Sequence, residues 1–255
     1  MLLAIDIGNT NTVLGVFDGE KVERSWRIKT DARSTADELA LTFRGLLADH
    51  AITGVAACST VPQALTELRE MLANYYPDMP TVIVEPGVRT GVSLQYENPK
   101  EVGSDRIANT VAAHHLVDGW PVIVVDFGTT TNFDVVNARG DFMGGALAPG
   151  IEISLDALAA RAAQLRKVEL VAPRGPIGKS TVEALQSGIL YGFAGQVDGL
   201  TRRLSAALSP DDPGAVEVIA TGGLAPLLIE HCETVSRYEP ELTLIGLRLI
   251  FDRNI

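Results

Sequence analysis

A short acidic turn occurs twice in this chain, and the repeat limits the folds that the sequence can adopt. The first copy reads Asp-Ile-Gly-Asn-Thr over residues 6–10, and the second reads Asp-Phe-Gly-Thr-Thr over residues 126–130. An apolar run precedes each copy, which predicts strand, tight turn and strand in both places. A repeat at about half the chain length predicts two similar lobes that face a shared cleft, each presenting one hairpin.

The residues of the first turn suit the binding of a phosphate group. Gly8 lets the backbone bend and lets a ligand approach it, while Thr10, Asn11 and Thr12 supply donors beside the carboxylate of Asp6. An acid next to a donor-rich turn fits a phosphate whose charge is shared with a metal ion. An ordinary hairpin turn is the alternative for one copy alone, and the second copy favours the phosphate site.

The order of predicted elements indicates an α/β protein. Residues 1–84 alternate strands with two helices, the first of which begins at a capping box formed by Thr35 and Glu38. The second half repeats three strands, adds helices at about residues 152–167 and after a second capping box of Ser180 and Glu183, and returns to a strand near residue 216. We therefore expect an N-terminal lobe over residues 1–118 and a C-terminal lobe over residues 119–255.

The long helix after Ser180 has an unusual glycine face. Gly188, Gly192, Gly195 and Gly199 share one side of it. Because glycine lowers helix stability, we expect these positions to permit close backbone packing, against a sheet or a partner helix.

Composition and charge exclude several functional classes. The formal net charge is −11, and no run of Lys and Arg offers a footprint for nucleic acid. The same charge repels anionic ligands at long range, so a phosphate site must use local donors and metal ions. Cys58 and Cys232 lack metal-ligand spacing and are interpreted as reduced thiols of a cytoplasmic protein. No basic leader and no apolar run of membrane-spanning length is found, so we expect no membrane contact.

A third stretch with chemical potential lies between the two turns. Residues 103–106 read Gly-Ser-Asp-Arg at the start of a predicted helix. The helix dipole stabilises Asp105 there, whereas Arg106 opposes the dipole and needs a partner. An acid and a guanidinium can together accept a hydroxyl proton and hold a carboxylate, or they can simply pin the helix to the next lobe. Spacing alone leaves both interpretations open.

These stretches supply the protein's share of a phosphoryl-transfer site, which needs phosphate donors, a cation, a positioned alcohol and a base. A Walker-type loop is excluded at residues 177–181, because Pro173 occupies the position of that loop's first glycine.

The three motifs together resemble those of the type III pantothenate kinases. That family belongs to the superfamily of acetate and sugar kinases, heat-shock 70 proteins and actin, and the resemblance covers essentially the whole chain. It implies an actin-like ATPase fold, in which two duplicated ribonuclease H-like lobes with mixed sheets surround a central cleft. It also implies ATP-dependent phosphorylation of the primary hydroxyl of pantothenate, the first step towards coenzyme A.

The resemblance assigns roles to individual residues. Asp105 would be the general base, and Asp126 would bind a monovalent cation, potassium or ammonium, required besides magnesium. The residues implied to bind ATP are Asp6, Ile7, Gly8, Asn9, Thr10, Asn11, Thr12, Val13 and Thr129. Those implied to bind pantothenate are Tyr96, Gly103, Ser104, Asp105, Arg106 and Thr181. Members of the family are homodimers, so the resemblance implies a homodimer here.

The sequence departs from the family at one place and leaves two other functions open. Residues 130–132 read Thr-Thr-Asn where the family often has Ala-Thr-Thr, a change expected to affect neighbouring packing rather than chemistry. The alternatives are a non-catalytic transcription accessory factor of the same fold and a kinase of another small alcohol. Retention of Asp6, Asp105, Arg106 and Asp126 favours the enzyme, because a regulator needs no proton acceptor.

Overall fold

A computed structural model describes residues 1–161 and 168–255 and divides them into two compact units. The first unit contains Met1–Val92, Glu97–Ala112 and Glu241–Ile255, and the second contains Ser93–Tyr96 and Ala113–Pro240. The boundary predicted between residues 118 and 119 would place the C-terminal segment, Glu241–Ile255, in the second lobe. In the structure, the packing of that segment puts it with the first unit.

The chain alternates strands and helices throughout. The strands are β1 (Leu2–Ile7), β2 (Asn11–Asp18), β3 (Lys21–Lys29), β4 (Gly54–Ser59), β5 (Thr81–Ile83), β6 (Val122–Phe127), β7 (Thr130–Val136), β8 (Phe142–Pro149), β9 (Glu217–Thr221) and β10 (Arg237–Tyr238). The helices are α1 (Ala36–Leu47), α2 (Pro62–Tyr75), α3 (Ser104–Leu116), α4 (Ile151–Arg161), α5 (Thr181–Leu208), α6 (Ala225–Leu228) and α7 (Leu242–Asp252).

The two sheets have the same topology. The first has the order β3-β2-β1-β4-β5, and the second, read from its other edge, has the order β8-β7-β6-β9-β10. In each sheet the central strand pairs antiparallel with the next strand in the chain and parallel with the strand on its other side. The predicted duplication into two lobes with mixed sheets is therefore confirmed.

Alternation along β1 divides the first unit into two cores. Leu3, Ile5 and Ile7 face α1 and α2, whereas Ala4 faces the opposite way, into a core that includes residues of α3 and α7. Asp6 shares the face of Ala4, because side chains two residues apart in a strand point the same way. The sheet therefore directs Asp6 to the side on which α3 packs.

Close contact between α7 and α3 fixes the second of these cores. A side chain at Gly246 of α7 would overlap the backbone of Ala108 in α3, so the two helix backbones lie directly against each other. Leu247 and Ile250 of α7 are completely buried in the same core. This packing explains why the last helix belongs to the first unit.

The predicted helix starts are confirmed in part. Thr35 and Glu38 form the complete capping box ahead of α1. The second box is only half formed. The Ser180 side chain accepts a hydrogen bond from the Glu183 N–H. The Glu183 carboxylate instead accepts hydrogen bonds from the Lys179 N–H at 2.8 Å and from the Arg174 guanidinium. The helix predicted over residues 152–167 is observed as α4, and its residues 162–167 lie outside the described part of the chain.

Among the described residues, the glycine face of α5 does not pack against a sheet, so that alternative was wrong. A Cβ atom added at Gly188, Gly192 or Gly195 would meet no atom of the described residues within 4 Å, and one at Gly199 would meet only the Arg203 guanidinium, at 3.4 Å. The buried residues of α5 lie elsewhere on the helix and include Leu190 and Val197. Packing against a partner helix stays a prediction. In the part of the chain that the structure describes, none of the helices is long and apolar enough to cross a membrane.

Candidate active site

The first hairpin closes tightly after β1. The Gly8 N–H donates to the Asn11 carbonyl at 3.0 Å, and Ile7 pairs with Thr12 across the strands. A Cβ atom at Gly8 would lie 3.1 Å from the Asn11 oxygen, while the backbone of Gly8 is not left-handed. Glycine is therefore favoured here by the space it leaves, as the sequence indicated, rather than by a positive φ.

Asp6 lies in an environment that disfavours its charge. It pairs in parallel register with Cys58 of β4, whose Sγ donates to Asp6 Oδ1 at 3.3 Å. Burial, and secondly the nearby charge of Asp105, raise the pKa of Asp6 to about 7, against opposing effects of the Cys58 thiol and Arg27. A cation at this carboxylate would favour its ionised form, so the site fits a metal-bound phosphate.

The sequence did not anticipate that Cys58 belongs to this site. It is a free, buried thiol, as expected, and burial followed by the charges of Asp6 and Asp105 raises its pKa well above the ordinary value. Cys58 therefore acts as a neutral hydrogen-bond donor to Asp6. No local pattern around Cys58 signalled this contact, because it arises from the pairing of β4 with β1.

The start of α3 is anchored to the end of β4. Ser104 Oγ donates to the Ser59 carbonyl at 3.1 Å and accepts the Ser59 N–H at 3.3 Å. The next residue, Asp105, uses Oδ1 to accept the Arg106 N–H at 2.9 Å. Burial raises the pKa of Asp105, while the N–H and the charge of Arg106 oppose that rise. Asp105 is therefore a fixed carboxylate of increased basicity, close enough to Asp6 to interact electrostatically.

Arg106 is a buried cation, with 8% of its surface exposed. Its carbonyl accepts a bond from Thr110 Oγ1 at 2.9 Å, which continues the first turn of α3. Because a buried guanidinium is stabilised by anionic partners, this position suits the recognition of a carboxylate.

Gly103 sets the position of the Asp105 carboxylate. A Cβ atom at Gly103 would overlap Asp105 Oδ1. The resemblance implies that Asp105 is the general base, so we expect Gly103→Ala to lower the turnover number at least tenfold, because a displacement of about 1 Å of a base has effects of this order. The matched control is Gly45→Ala in α1, where an added Cβ meets no described atom within 4 Å. Steady-state kinetics with thermal unfolding checks both variants; wild-type turnover in Gly103→Ala at unchanged stability would contradict the assignment.

The second hairpin has its own network in the second unit. Gly128 N donates to the Thr130 carbonyl at 3.0 Å, and Thr130 Oγ1 donates to Asn132 Oδ1 at 2.7 Å. The Thr129 carbonyl accepts the Gly150 N–H at 3.1 Å. Residues 130–132, which depart from the family pattern, therefore form a side-chain hydrogen bond within the hairpin. This agrees with the expected effect on neighbouring packing.

The Asp126 carboxylate lies near Gly222, as does the Phe127 carbonyl oxygen. Asp126 pairs with Thr221 of β9, as Asp6 pairs with Cys58 of β4. Gly222 follows with φ of +93°, and a Cβ atom there would lie 2.7 Å from Asp126 Oδ1 and 2.6 Å from the Phe127 carbonyl. Within residues 1–161 and 168–255, no three His, Cys, Asp or Glu side chains cluster as a metal site. A carboxylate and a backbone carbonyl are oxygen ligands, the type that hard cations take.

The remaining predicted residues also lie in the second unit. Tyr96 is 36% exposed, with its ring centroid 5.9 Å from that of Phe142 and its ring edge over the Gly144 backbone. Thr181 is exposed as the first residue of α5. The structure thus brings residues 6–13 and 103–106 into the first unit and places Tyr96, Asp126, Thr129 and Thr181 in the second.

Comparison with known proteins identifies the family. The family model described as type III pantothenate kinase matches residues 2–203. Proteins named type III pantothenate kinase from Frankia alni and Salinispora arenicola are each 66% identical to the chain, with complete coverage of both sequences.

Solved structures share the fold at low sequence identity. A Campylobacter jejuni protein assigned to the Baf family of transcriptional activators superposes with a TM-score of 0.59 at 17% identity, over 98% of each chain. A polyphosphate/ATP-glucomannokinase from Arthrobacter gives 0.53 at 16% identity, over 99% of this chain and 98% of the other. These likenesses confirm the sugar-kinase type of actin-like fold. The family match and the full-length identities establish that the chain belongs to the type III pantothenate kinase family.

Proposed function

We propose that this chain transfers the γ-phosphate of ATP to the primary hydroxyl of pantothenate. Family membership and relatives of the same name at 66% identity over the full length support an ATP-dependent kinase of this specificity. The observation that carries the mechanism is the fixed carboxylate of Asp105 within electrostatic reach of Asp6.

Asp105 is the proposed general base. Its Oδ1 is held by the Arg106 N–H, so Oδ2 is the oxygen assigned to accept the hydroxyl proton as the alcohol oxygen bonds to the γ-phosphorus and the bond to ADP breaks. The raised pKa of Asp105 makes it a stronger base than an exposed aspartate. Ser104 supports this geometry, because it ties the start of α3 to Ser59.

The first hairpin is the proposed binding site for the ATP phosphates. Residues 6–13 supply backbone N–H groups and hydroxyls, and Thr129 of the second hairpin adds a contact by resemblance. Magnesium, bound with ATP, supplies a positive charge that neutralises phosphate oxygens in phosphoryl transfer. Asp6 is assigned to this metal because burial leaves its charge in need of a cation.

Pantothenate carries a carboxylate, for which we propose Arg106 as the partner. Gly103 and Ser104 complete this side of the proposed substrate site, and Tyr96 and Thr181 are assigned to it through the resemblance. Asp126 is the proposed ligand of a potassium or ammonium ion, supported by the resemblance and by the Phe127 carbonyl oxygen that lies near the same glycine, Gly222.

A homodimer without affinity for nucleic acid is part of the same proposal. The net charge of −11 supports the second point, because a polyanion is repelled. The glycine face of α5 is open to close packing by a helix.

The likeness to the Campylobacter jejuni protein and to sugar kinases concerns the fold alone, because identities lie below 20%. A coupled assay of ADP release, with and without pantothenate and potassium, separates the functions. We expect release that depends on pantothenate and requires potassium or ammonium. ADP release indifferent to pantothenate would favour another alcohol as substrate, and no release under any condition would favour a regulator.

A further inference from the structure

Arg27 of β3 lies in line with Asp6 across three strands of the first sheet. Asp6 of β1 pairs with Val13 of β2, and Val13 pairs in turn with Arg27. Directly paired residues of neighbouring strands point to the same face of a sheet, so Arg27 projects on the side of Asp6, where α3 packs. Neighbouring strands lie about 4.8 Å apart, so the Cα atoms of Asp6 and Arg27 are separated by roughly 10 Å. The long arginine side chain spans much of that distance.

The start of α7 covers the adjacent row of side chains on this face and leaves Arg27 exposed. A Cβ atom at Gly15 would overlap the Leu244 side chain, and the Ser25 hydroxyl donates to Glu241 Oε1 at 2.7 Å, directly before α7 begins. Gly15 and Ser25 are paired with each other. Arg27 is exposed two residues further along β3, towards the turn of the first hairpin. It therefore lies between the start of α7 and that turn.

The end of β3 is tied to the first hairpin. The Thr30 N–H donates to the Thr10 carbonyl at 3.0 Å, and the hydroxyl oxygens of Thr12 and Thr30 are 2.9 Å apart in a hydrogen bond. These bonds fix the strand that bears Arg27 relative to residues 6–13, the proposed binding site for the ATP phosphates.

The charge of Arg27 is available to a ligand. Within residues 1–161 and 168–255, the Arg27 side chain makes neither a salt bridge nor a hydrogen bond. Burial raises the pKa of Asp6, and the positive charge of Arg27 is among the effects that oppose this rise. The guanidinium therefore acts electrostatically at the Asp6 carboxylate without an ion pair of its own. Arg24 of the same strand differs, because its guanidinium lies over the Trp26 ring, 5.2 Å from the centroid.

We propose that Arg27 binds the triphosphate of the nucleotide, as a further binding residue beside the first hairpin. This inference rests on the proposed function, which assigns the nucleotide phosphates to residues 6–13. A guanidinium presents a planar fork of donors that fits phosphate oxygens in bidentate fashion. Because the net charge of −11 repels a polyanion at long range, the site needs a local cation besides magnesium, and Arg27 supplies one.

Calorimetric titration of the full-length protein with MgATP tests the proposal. We expect Arg27→Gln to weaken MgATP binding about tenfold, the low end of the range for a hydrogen bond to a charged group, because this guanidinium is exposed. Arg24→Gln is the matched control: it removes the same charge from the same strand, but on the opposite face, and should bind MgATP as the wild type does. Equal MgATP affinities in Arg27→Gln and Arg24→Gln would overturn the proposal.

Two further ligands show which group Arg27 contacts. Magnesium with inorganic triphosphate should compete with MgATP, and Arg27→Gln should weaken this competitor by the same factor as MgATP. Arg27→Lys, which keeps the charge and loses the planar fork, should bind with an affinity between those of Arg27→Gln and the wild type. A loss of pantothenate affinity in Arg27→Gln at unchanged MgATP affinity would assign Arg27 to the substrate carboxylate and overturn the proposal.

The binding readout separates this inference from the proposed function. A wild type that binds MgATP more tightly than Arg27→Gln, but does not phosphorylate pantothenate, would support the role of Arg27 and contradict the proposed reaction. Phosphorylation of pantothenate together with equal MgATP affinities would contradict the role of Arg27 alone. A wild type without measurable affinity for MgATP would overturn both.

Discussion

Replacement of Asp105 by Asn is expected to lower phosphoryl transfer by about 10²- to 10⁴-fold, the range attributed to a lost general base. The amide oxygen can still accept the Arg106 N–H, so the start of α3 should keep its geometry. Because burial already disfavours the charge of Asp105, its removal should not destabilise the fold. Rapid-quench measurement of the chemical step, with ATP affinity determined separately, distinguishes the lost base from lost binding.

Asp37→Asn is the matched control for this variant. Asp37 is the second residue of α1, as Asp105 is the second residue of α3, and its carboxylate accepts the Tyr75 hydroxyl away from the candidate site. It should show wild-type kinetics. Full turnover in Asp105→Asn would rule out Asp105 as the base, and a loss that appears only in ATP affinity would move it to nucleotide binding.

Asp6→Asn is expected to stabilise the ligand-free protein above pH 7 while it weakens binding of magnesium ATP. The pKa of Asp6 is raised from 3.8 to about 7, so between these values the folded protein retains a proton that the unfolded chain has released. The unfolding free energy of the wild type therefore falls as pH rises through this window. A pKa difference of about 3 between the folded and unfolded states corresponds to at most ~4 kcal/mol in the free energy of unfolding. Because Asp6 is partly exposed and coupled to Asp105, we expect Asp6→Asn to raise the free energy of unfolding by a smaller amount, about 1–3 kcal/mol.

Denaturant unfolding at several pH values checks this prediction. The difference between Asp6→Asn and the wild type should vanish near pH 4 and reach its maximum above pH 7, since Asn does not titrate. A matched exposed acid, Asp31→Asn, should not stabilise the protein at high pH, because the backbone N–H of Arg33 lowers the pKa of Asp31. A wild type that gains stability from pH 4 to 7 relative to Asp6→Asn would refute the environment described for Asp6.

Local sequence patterns predicted much of the fold, because they report local geometry. The repeated acid-and-glycine turn predicted two similar lobes, and the two sheets of the structure have the same strand order. The capping box at Thr35 depends on four consecutive residues and formed as expected. Asp105 and Arg106 were placed correctly at a helix start for the same reason.

Contacts between distant segments decided the features that the sequence did not predict. Cys58 reaches Asp6 only because β4 pairs with β1, a register set by the whole sheet. The last helix joins the first unit because Gly246 permits its backbone to contact Ala108, across more than half of the chain. Glu183 leaves the predicted capping box because Arg174, in a loop without periodicity, offers it an ion pair.

Product analysis tests the central proposal most directly. After incubation of the protein with ATP, magnesium, potassium and pantothenate, ³¹P NMR and mass spectrometry of the small molecules identify where the phosphoryl group goes. We expect one phosphate monoester on the primary hydroxyl of pantothenate, formed in equal amount to ADP, and formed about 10²- to 10⁴-fold more slowly with Asp105→Asn. ADP formed without phosphorylated pantothenate, or the same product from Asp105→Asn at the wild-type rate, would contradict it.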